Sequence, residues 1–374
     1  MRISLFRVAT ILILALIAAA CLPATPTPTP PATLIPTPTP LPGIGAVCLV
    51  TDVGTITDGT FNQYAYEGML RAAEEFEMSD PTYYESQSHE DFIANINQCI
   101  EDGADAVITV GFLLQSATLE AAIANSDVYF IGIDQDFQNT EDAPDNVTGV
   151  QFREDEAGFL VGALAAIVAN EQGSEVIAGI YGIDVPAVVR FRNGFEQGAL
   201  HINPDWEVGV NILGRYHDSF GDTEAGIQAA QDFIEEGATI IFGAGGPLGS
   251  AGILYAASQG TYVIGVDQDE YFTTFNQGAV DGSEYLISSA LKRVDQGVLD
   301  TIGILAEGRY GSFPGSTNYL LDAARGGVGF ADPHDAELSE DVLSQVSTVL
   351  QALVNDELET GVDPATGNLL DSEE

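Results

Sequence analysis

The chain has 374 residues, of which 45% are hydrophobic and 18% are charged, enough for a large core and typical of two domains. Its 11 Lys and Arg residues stand against 56 Asp and Glu residues, for a formal net charge of -45. Because binding to nucleic-acid phosphates requires a basic surface, this composition excludes a nucleic-acid-binding protein. The four histidines have no metal-ligand spacing, and we expect neither a metal nor a cofactor.

The N-terminus has the pattern of an exported lipoprotein. Residues 1–20 combine two arginines with an apolar run, as in a secretory signal peptide. Cys21 follows three alanines, which favours a lipobox cysteine; ordinary signal cleavage near an unmodified cysteine is the alternative. Residues 21–43 are rich in Pro and Thr and predict an extended linker. A thiol-linked chain such as palmitate, together with an amide-linked chain, would anchor the protein stably to the extracytoplasmic face of the cell membrane.

Polar residues crowd the first predicted strand-to-helix crossing. Apolar residues 46–50 predict a buried parallel strand, and Thr60 is expected to cap a helix that begins at Phe61. Asp52 and Asn62 lie on either side of this loop. Ligands of open α/β sheets bind at the carboxyl ends of strands, so both are candidate ligand contacts. A capped turn without a ligand is the alternative interpretation.

Strands and helices alternate from residue 44 onward, which indicates βαβ units and parallel sheets flanked by helices. The expected strands lie at 46–51, 81–85, 106–110, 128–133, 147–152, 175–181, 207–213, 238–242, 261–266 and 317–321. The expected helices lie at 60–77, 89–101, 114–125, 154–170, 186–201, 222–236, 248–258, 283–306 and 338–354.

An internal duplication is the most informative feature of the chain. EDGADAVITVGF at 101–112 resembles EEGATIIFGAGG at 235–246, an offset of 134 residues (235 minus 101). YFIGIDQD at 129–136 resembles YVIGVDQD at 262–269, an offset of 133 residues (262 minus 129). FNQYAYEG, beginning at Phe61, matches FRNGFEQG more loosely. The chain therefore contains two similar α/β lobes.

Two such lobes place a ligand pocket between them, with their strand carboxyl ends toward a shared cleft. Asp134 and Asp267 end matching strands and are expected near that cleft. The acidic loops that follow them are the expected hinges, where the chain crosses between lobes. The resulting division is a signal peptide at 1–20, a lipidated linker at 21–43, an N-terminal lobe at 44–136 plus 270–310, a C-terminal lobe at 137–269 plus 311–355, and an acidic tail at 356–374.

Several motifs resemble the basic membrane protein family of bacterial lipoproteins, substrate-binding proteins of the purine nucleoside receptor type. The motifs are TDVGTITDGTFNQYAYEG, VITVGF, NVTGVQFREDEAGFLVGALAA, GIDVPAVVRFRNGF, YHDSFGD, GAGGPLGSAGILYAA, YVIGVDQD and SSALKRVDQG. The resemblance implies a type I periplasmic-binding-protein fold, an α/β fold of two Rossmann-like lobes around a hinged cleft. It also implies a monomer that is not an enzyme, binds nucleosides and passes them to an ABC permease and its ATPase.

The resemblance assigns roles to residues. Asp52 and Asn62 fall in the signature that contacts the ligand, and Phe220 matches an aromatic that stacks on the base. Asp267 and Lys292 match residues that bind the ribose hydroxyls. Further residues expected at the ligand are Phe112 and Ser116 of the loop after the third strand, Gly246 of the glycine-rich loop, and Asp134.

The chemistry of these residue types supports the same ligand. Aromatic rings stack on a flat base, and carboxylates accept hydrogen bonds from a diol. Lys292 is the only lysine of the chain, and we expect it on a helix of the lobe opposite Asp267, paired with that carboxylate. Replacing Lys292 is then expected to weaken binding and leave unfolding nearly unchanged. Core packing is the alternative for Phe220, and an exposed helix position is the alternative for Lys292.

A nucleoside-cleaving enzyme is disfavoured, because Asp52 and Asp58 lack the clustering of a calcium site and no nucleophile–base pair is evident. A ligand-sensing receptor with the same fold and a binder of another small metabolite such as a sugar remain alternatives. Cys48 and Cys99 are expected as buried thiols, although export permits a disulfide.

Overall fold

The structure, a computed structural model, describes residues 42–370. The expected signal peptide, Cys21 and the linker up to residue 41 lie outside this range. Two six-stranded sheets, each flanked by helices, form the body. The α/β fold of two parallel-sheet lobes that the alternating pattern predicts is therefore confirmed.

The strands are β1 (Val47–Val53), β2 (Thr82–Ser86), β3 (Ala106–Val110), β4 (Tyr129–Ile133), β5 (Val147–Phe152), β6 (Ile177–Tyr181), β7 (Ile212–Tyr216), β8 (Ile240–Ala244), β9 (Tyr262–Asp267), β10 (Leu286–Lys292), β11 (Thr317–Leu321) and β12 (Val328–Phe330). The helices are α1 (Phe61–Glu75), α2 (Phe92–Glu101), α3 (Gln115–Ala124), α4 (Glu154–Gln172), α5 (Pro186–Ile202), α6 (Thr223–Glu235), α7 (Pro247–Ser258), α8 (Val294–Ala306) and α9 (Glu340–Val354).

The two sheets have the same strand order, as the duplication predicts, and differ in the direction of the edge strand, β11 or β12. Their strand orders are β11-β5-β4-β3-β1-β2 and β12-β10-β9-β8-β6-β7. All described pairs are parallel except β12, which runs antiparallel to β10. The central strands are buried along their whole length, because helices cover both faces. In each sheet the second strand lies on one side of the first strand, β1 or β6, and the third strand lies on the other side. The connections therefore run in opposite directions from the first strand, and such a switch point opens a crevice for a ligand.

The chain crosses between the lobes at other places than the acidic loops. β5 belongs to the first sheet and the following helix α4 packs on α5 of the second lobe; β10 belongs to the second sheet and the following helix α8 packs on α1 of the first lobe. The third crossing joins β11 to β12. The expected boundaries at 136/137 and 269/270 are therefore wrong, because the strand that follows each acidic loop, β5 or β10, belongs to the same sheet as the strand before it. The boundary at 310/311 is also wrong, because β11 belongs to the first sheet.

The first two crossings have matching local structures. Arg153 follows β5 and binds Asp155 through Nε and Nη2 at 2.8 and 2.7 Å. Arg293 follows β10 and binds Asp295 in the same way at 2.8 and 2.9 Å. A bidentate pair between a guanidinium and a carboxylate has a defined geometry, so each crossing strand enters its helix at a fixed angle.

Close packing of α4 on α5 depends on glycine. A Cβ atom on Gly158 would lie 2.3 Å from the carbonyl oxygen of Phe191, and one on Gly162 would lie 2.1 Å from that of Phe195. The reverse contact is equally tight, since a Cβ atom on Gly198 would lie 2.0 Å from a carbonyl oxygen of α4. The two backbones can approach this closely only without side chains at these positions. This packing attaches the crossing helix firmly to the second lobe.

The helix expected at 283–306 is wrong in its first half, which forms β10 instead. Ser288 Oγ donates to the carbonyl oxygen of Ala331 at 2.9 Å, and Ser289 Oγ accepts from the amide of Glu270 at 3.1 Å. These partners come from distant segments, so tertiary contacts override the helical propensity of the sequence. The strand expected at 207–213 is displaced to β7, because residues 207–211 form a turn with Gly209 at φ 84°.

The segment after α9 is not a free acidic tail over its described part. Thr360 and Val362 are 3% and 2% exposed. Arg190 donates to the carbonyl oxygen of Ala365 at 3.0 Å, and Asn193 donates to that of Gly367 at 2.6 Å. Residues 359–370 therefore form a strap that packs on α5. The expectation of a tail fails because these polar partners lie far away in the sequence.

Cys48 and Cys99 form a disulfide, which corrects the expectation of two buried thiols. Both residues are fully buried, and their Cα atoms lie 5.7 Å apart. That separation falls within the range of disulfides. None of the helices in residues 42–370 has the length and apolarity needed to span a membrane.

Candidate functional site

A cavity of about 450 Å³ lies between the carboxyl ends of the two sheets. The first lobe contributes the ends of β1, β3 and β4 and the start of α1, and the second contributes the ends of β8, β9 and β10 and the start of α5. This is the place that the switch points predict. Of the nine residues expected at the ligand, eight line the cavity: Asp52, Asn62, Phe112, Asp134, Phe220, Gly246, Asp267 and Lys292.

Ser116 is the exception. It lies in α3, is exposed and does not line the cavity. The loop after β3 enters the cavity through Phe112, whose side chain is 38% exposed, and Gly111. Ser116 lies one helical turn further on, where α3 carries it away from the cavity.

Asp52 and Asn62 form a fixed polar pair in the first lobe. Asn62 Nδ2 donates to Asp52 Oδ1 at 3.0 Å and to Asp58 Oδ2 at 3.1 Å. The amide orientation is therefore set, and Asn62 Oδ1 is buried without a hydrogen-bond partner in residues 42–370. Burial raises the pKa of Asp52 to about 7, against the lowering effect of the Asn62 hydrogen bond. The pair offers acceptor oxygens to a ligand.

Asp58 caps α1, a role that was expected for Thr60. Its carboxylate accepts from the amides of Thr60, Asn62 and Gln63 at 2.9, 3.0 and 3.1 Å. The Thr60 side chain makes no capping hydrogen bond. Asp58 satisfies two free amides of the first helical turn, those of Asn62 and Gln63, so it holds Asn62 in place as well as lining the cavity.

Asp267 ends β9 in the second lobe and faces the same cavity. Its backbone has φ 66°, a left-handed conformation that Asp tolerates better than most residues. The residue is 7% exposed, and among the described residues its carboxylate has charged neighbours but no hydrogen-bond partner. Burial raises the pKa of Asp267 to about 7; Lys292 opposes that shift, and Asp134 adds to it. A buried carboxylate without a protein partner is suited to accept hydrogen bonds from a ligand.

Lys292 lies at the end of β10, next to Asp267 in the same sheet, which corrects its expected place on a helix of the opposite lobe. Its Nζ atom pairs with Asp134 Oδ2 at 2.6 Å and Glu154 Oε1 at 2.9 Å, rather than with Asp267. Burial would lower the pKa of Lys292, but the carboxylates of Asp134, Glu154 and Asp267 raise it above its ordinary value. Lys292 is therefore a buried cation at the base of the cleft.

Glu154 connects this lysine to a second buried cation. Its other oxygen accepts from Arg190 Nε at 2.5 Å, and both partners are almost fully buried. Burial alone would raise the pKa of Glu154, but Arg190 and Lys292 hold it below its ordinary value. Two strap carbonyl oxygens and Gln151 Oε1 also accept hydrogen bonds from the Arg190 guanidinium. The order Asp134, Lys292, Glu154, Arg190 alternates in sign, so each buried charge has an opposite neighbour.

Aromatic side chains form the apolar walls. Phe220 packs against Gly182 and lies near Gly246. A Cβ atom added to Gly182 would lie 2.3 Å from the Phe220 ring, and one added to Gly246 would lie 3.6 Å from the Phe220 Cβ atom. Phe61 and Phe191 also line the cavity, and sequence reasoning missed both as site residues. The duplication contains a signal for them, because they are the first residues of the matching FNQYAYEG and FRNGFEQG segments.

Comparison with known protein families places the whole described body in one group. Residues 46–362 match the family model "Bmp: ABC transporter substrate-binding protein PnrA-like". A CD4+ T-cell-stimulating antigen of Listeria monocytogenes is 28% identical over 334 residues, which are 85% of this chain and 88% of the relative. The ABC transporter nucleoside-binding protein BmpA of Lactococcus lactis is 27% identical, over 80% of this chain and 85% of the relative.

A lipoprotein of Pyrococcus abyssi is 30% identical, over 71% of this chain and 64% of the relative. Among solved structures, an ABC transporter solute-binding protein of Aeropyrum pernix superposes with a TM-score of 0.72. It is 24% identical and covers 84% of this chain and 92% of its own. That likeness supports the two-lobed fold that the strand orders show.

Proposed function

Because the chain belongs to the PnrA-like family of ABC transporter substrate-binding proteins, we propose that its cleft binds nucleosides, with purine nucleosides favoured, and delivers them to a membrane permease. The observation that carries the proposal is the Asp267 carboxylate, which is buried in the cleft without a hydrogen-bond partner in residues 42–370. Such a group requires a hydrogen-bond donor when the cleft closes, and a ribose diol supplies two.

The lysine next to it supports the same ligand. An ammonium has three donors, and one of those of Lys292 binds Asp134 Oδ2 at 2.6 Å. Glu154 Oε1 forms an ion pair with Nζ at 2.9 Å without hydrogen-bond geometry. A remaining donor of Lys292 is available to a hydroxyl oxygen of the ribose. Since Lys292 and Asp267 end adjacent strands, they can contact the two hydroxyls of one diol.

The walls and the volume suit a base. Phe220, Phe112, Phe61 and Phe191 supply apolar surface for a flat ring, and the Asn62–Asp52 pair supplies acceptors for its amino and ring NH groups. A cavity of about 450 Å³ falls within the range of small-molecule sites. Lys292 is neutralised by buried carboxylates, so a ligand with phosphate groups would be repelled.

A thermal-shift screen tests the proposal. The mature protein is heated with purine and pyrimidine nucleosides, free bases, pentoses, hexoses and amino acids, each at 1 mM as a round figure for ligands of micromolar affinity. Purine ribonucleosides should raise the melting temperature most, since stabilisation follows the ratio of ligand concentration to dissociation constant. A shift with sugars alone would favour a sugar-binding protein of the same fold, and no shift with nucleosides would contradict the proposal. Release of free base in proportion to protein concentration would instead indicate an enzyme.

We also propose that Cys21 carries the lipid anchor that holds the receptor near its permease. The run of small residues before Cys21 supports this, as does the similarity to a lipoprotein of Pyrococcus abyssi. Cys21→Ser should release the protein from the membrane fraction or block its processing. Normal processing and membrane retention of that variant would contradict lipidation. A neighbouring permease and ATPase gene pair would favour transport, and a receptor kinase gene would favour sensing.

A further inference from the structure

Gln135 and Gln268 occupy matching positions of the duplication, but they make different contacts. Each follows an Asp in the left-handed conformation, Asp134 at φ 61° and Asp267 at φ 66°. Gln135 is fully buried within its own lobe, where Nε2 donates to the carbonyl oxygen of Gly111 at 3.0 Å. This inward contact ties together the strand ends of the first sheet.

Gln268 reaches the other lobe. Its Nε2 donates to the carbonyl oxygens of Gly59 at 2.8 Å and Thr60 at 3.3 Å. Gln268 follows β9 of the second sheet, whereas Gly59 and Thr60 precede α1 of the first lobe. The side chain is only 7% exposed, so the contact is shielded from water.

Glu270 explains why the two glutamines point in different directions. In the first lobe Gln135 fills the space over Gly132, where a Cβ atom would lie 2.3 Å from its Oε1. In the second lobe Glu270 fills the matching space over Gly265. A Cβ atom added to Gly265 would lie 2.9 Å from the Cβ atom of Glu270. Glu270 also accepts from the amide of Val266 at 3.0 Å. The inward position is occupied, and Gln268 is left to extend outward.

We propose that Gln268 is a positioning residue that holds the two lobes together over a bound ligand. The inference rests in part on the proposed function. The contact joins Gln268 to Gly59 and Thr60. The residues next to these in the sequence, Asp267, Asp58 and Phe61, all line the cavity. Gln268 itself does not line it.

This placement predicts a kinetic role. A hydrogen bond between lobes forms only once the lobes have met, so it opposes reopening and has little effect on the first encounter with a ligand. Loss of the amide leaves the Gly59 carbonyl oxygen without its donor in a shielded place, whereas the Thr60 carbonyl oxygen still accepts from the Tyr64 amide. A carbonyl group is costly to leave unpaired there. Ligand dissociation should therefore become about tenfold faster.

Stopped-flow fluorescence with guanosine as the probe tests the kinetic role. Gln268→Ala removes the side chain, and Gln268→Glu keeps its size but replaces the donor with an acceptor. Gln259→Ala is the matched control, since Gln259 is an exposed glutamine of the same lobe. Both Gln268 variants should release guanosine about tenfold faster with association within about twofold of the wild type. Wild-type dissociation in both variants would overturn the proposal, and so would a lower melting temperature with unchanged dissociation.

A distance measurement keeps the result separate from the proposed function. Fluorophores are attached through Glu74→Cys and Glu235→Cys, at exposed positions on α1 and α6 of the two lobes. In ligand-free protein, Gln268→Ala should populate the longer interlobe distance more than the wild type does. If the wild type binds no nucleoside, the proposed function fails and this distance decides the role of Gln268. A distance distribution of Gln268→Ala equal to that of the wild type would then overturn the proposed role of Gln268.

Discussion

Lys292 Nζ lies 2.6 Å from Asp134 Oδ2, and the two residues belong to different lobes. The pair is buried at the base of the cleft, beside the carboxylate of Asp267. It therefore connects the two sheets at the point where both contact the proposed ligand. Lys292 has a structural role as well as a proposed binding role.

Lys292→Met should lower the free energy of unfolding by about 3–5 kcal/mol, because it leaves Asp134 buried without its cation and removes one of the two cations at Glu154. This revises the expectation that the unfolding transition would hardly change. Urea unfolding of the ligand-free protein measures the effect.

The control is the double variant Asp134→Asn with Lys292→Met, which removes both charges of the interlobe pair. It should be less destabilised than the sum of the two single variants, because each single variant leaves one charge of the pair buried without its partner and the double variant leaves neither. Unfolding of Lys292→Met at the wild-type urea concentration would show that the pair contributes nothing.

Ligand affinity should rise with pH through about 7. A ribose hydroxyl donates to the ionised form of Asp267, and burial raises the pKa of that carboxyl to about 7. With that pKa, about a tenth of the protein is ionised at pH 6 and about nine tenths at pH 8, so guanosine should bind about tenfold more tightly at pH 8. Asp267→Asn should reduce this dependence to the part contributed by Asp52, whose pKa burial also raises to about 7. An unchanged dependence in that variant would contradict the assignment to Asp267.

The stability of the ligand-free protein should change in the opposite direction. The folded-state pKa values of Asp52 and Asp267, about 7, lie above the ordinary value of 3.8 for an aspartate, so the folded protein binds more protons between these limits. Stability therefore falls as pH rises from about 4 to about 7 and levels off above. Urea midpoints across this range measure the slope, and a rise over the same interval would contradict the assignment.

The strap should contribute to the stability of the second lobe. Truncation after Val362 removes the carbonyl groups that Arg190 and Asn193 bind. Hydrogen bonds to a charged donor are among the stronger ones, and we expect the free energy of unfolding to fall by about 2–3 kcal/mol. Truncation after Leu370 removes none of these contacts and is the matched control. Equal melting temperatures of the two truncated proteins would show that the strap is dispensable.

Local sequence patterns predict most of the site because it lies at strand ends. Asp52, Asp134 and Asp267 each come at or near the end of an apolar run. A buried parallel strand is a continuous apolar run, so the end of the run predicts where the strand ends. The duplication then places Asp134 and Asp267 at equivalent points of two sheets. These are short-range features, and the structure brings all three residues to one cavity.

The partners of Lys292 are not predictable in the same way. Its position at the end of β10 depends on pairing with β9 and β12, and its ion pairs are with residues 158 and 138 positions away (292 minus 134, and 292 minus 154). The interlobe crossings, the Cys48–Cys99 disulfide and the docked strap are long-range contacts too. No local pattern contains such information, since several pairings of the same segments satisfy the same propensities.

The central claim is that the cleft recognises a nucleoside through its ribose diol, and calorimetric titration with guanosine and 2′-deoxyguanosine tests it most directly. The wild type should bind guanosine at least tenfold more tightly, because loss of a hydroxyl leaves buried polar groups unpaired. Asp267→Asn should bind both ligands with similar, weaker affinity, whereas Asp281→Asn, at an exposed position of the same lobe, should behave as the wild type. Equal affinity of the wild type for the two ligands, or wild-type discrimination in Asp267→Asn, would contradict the account.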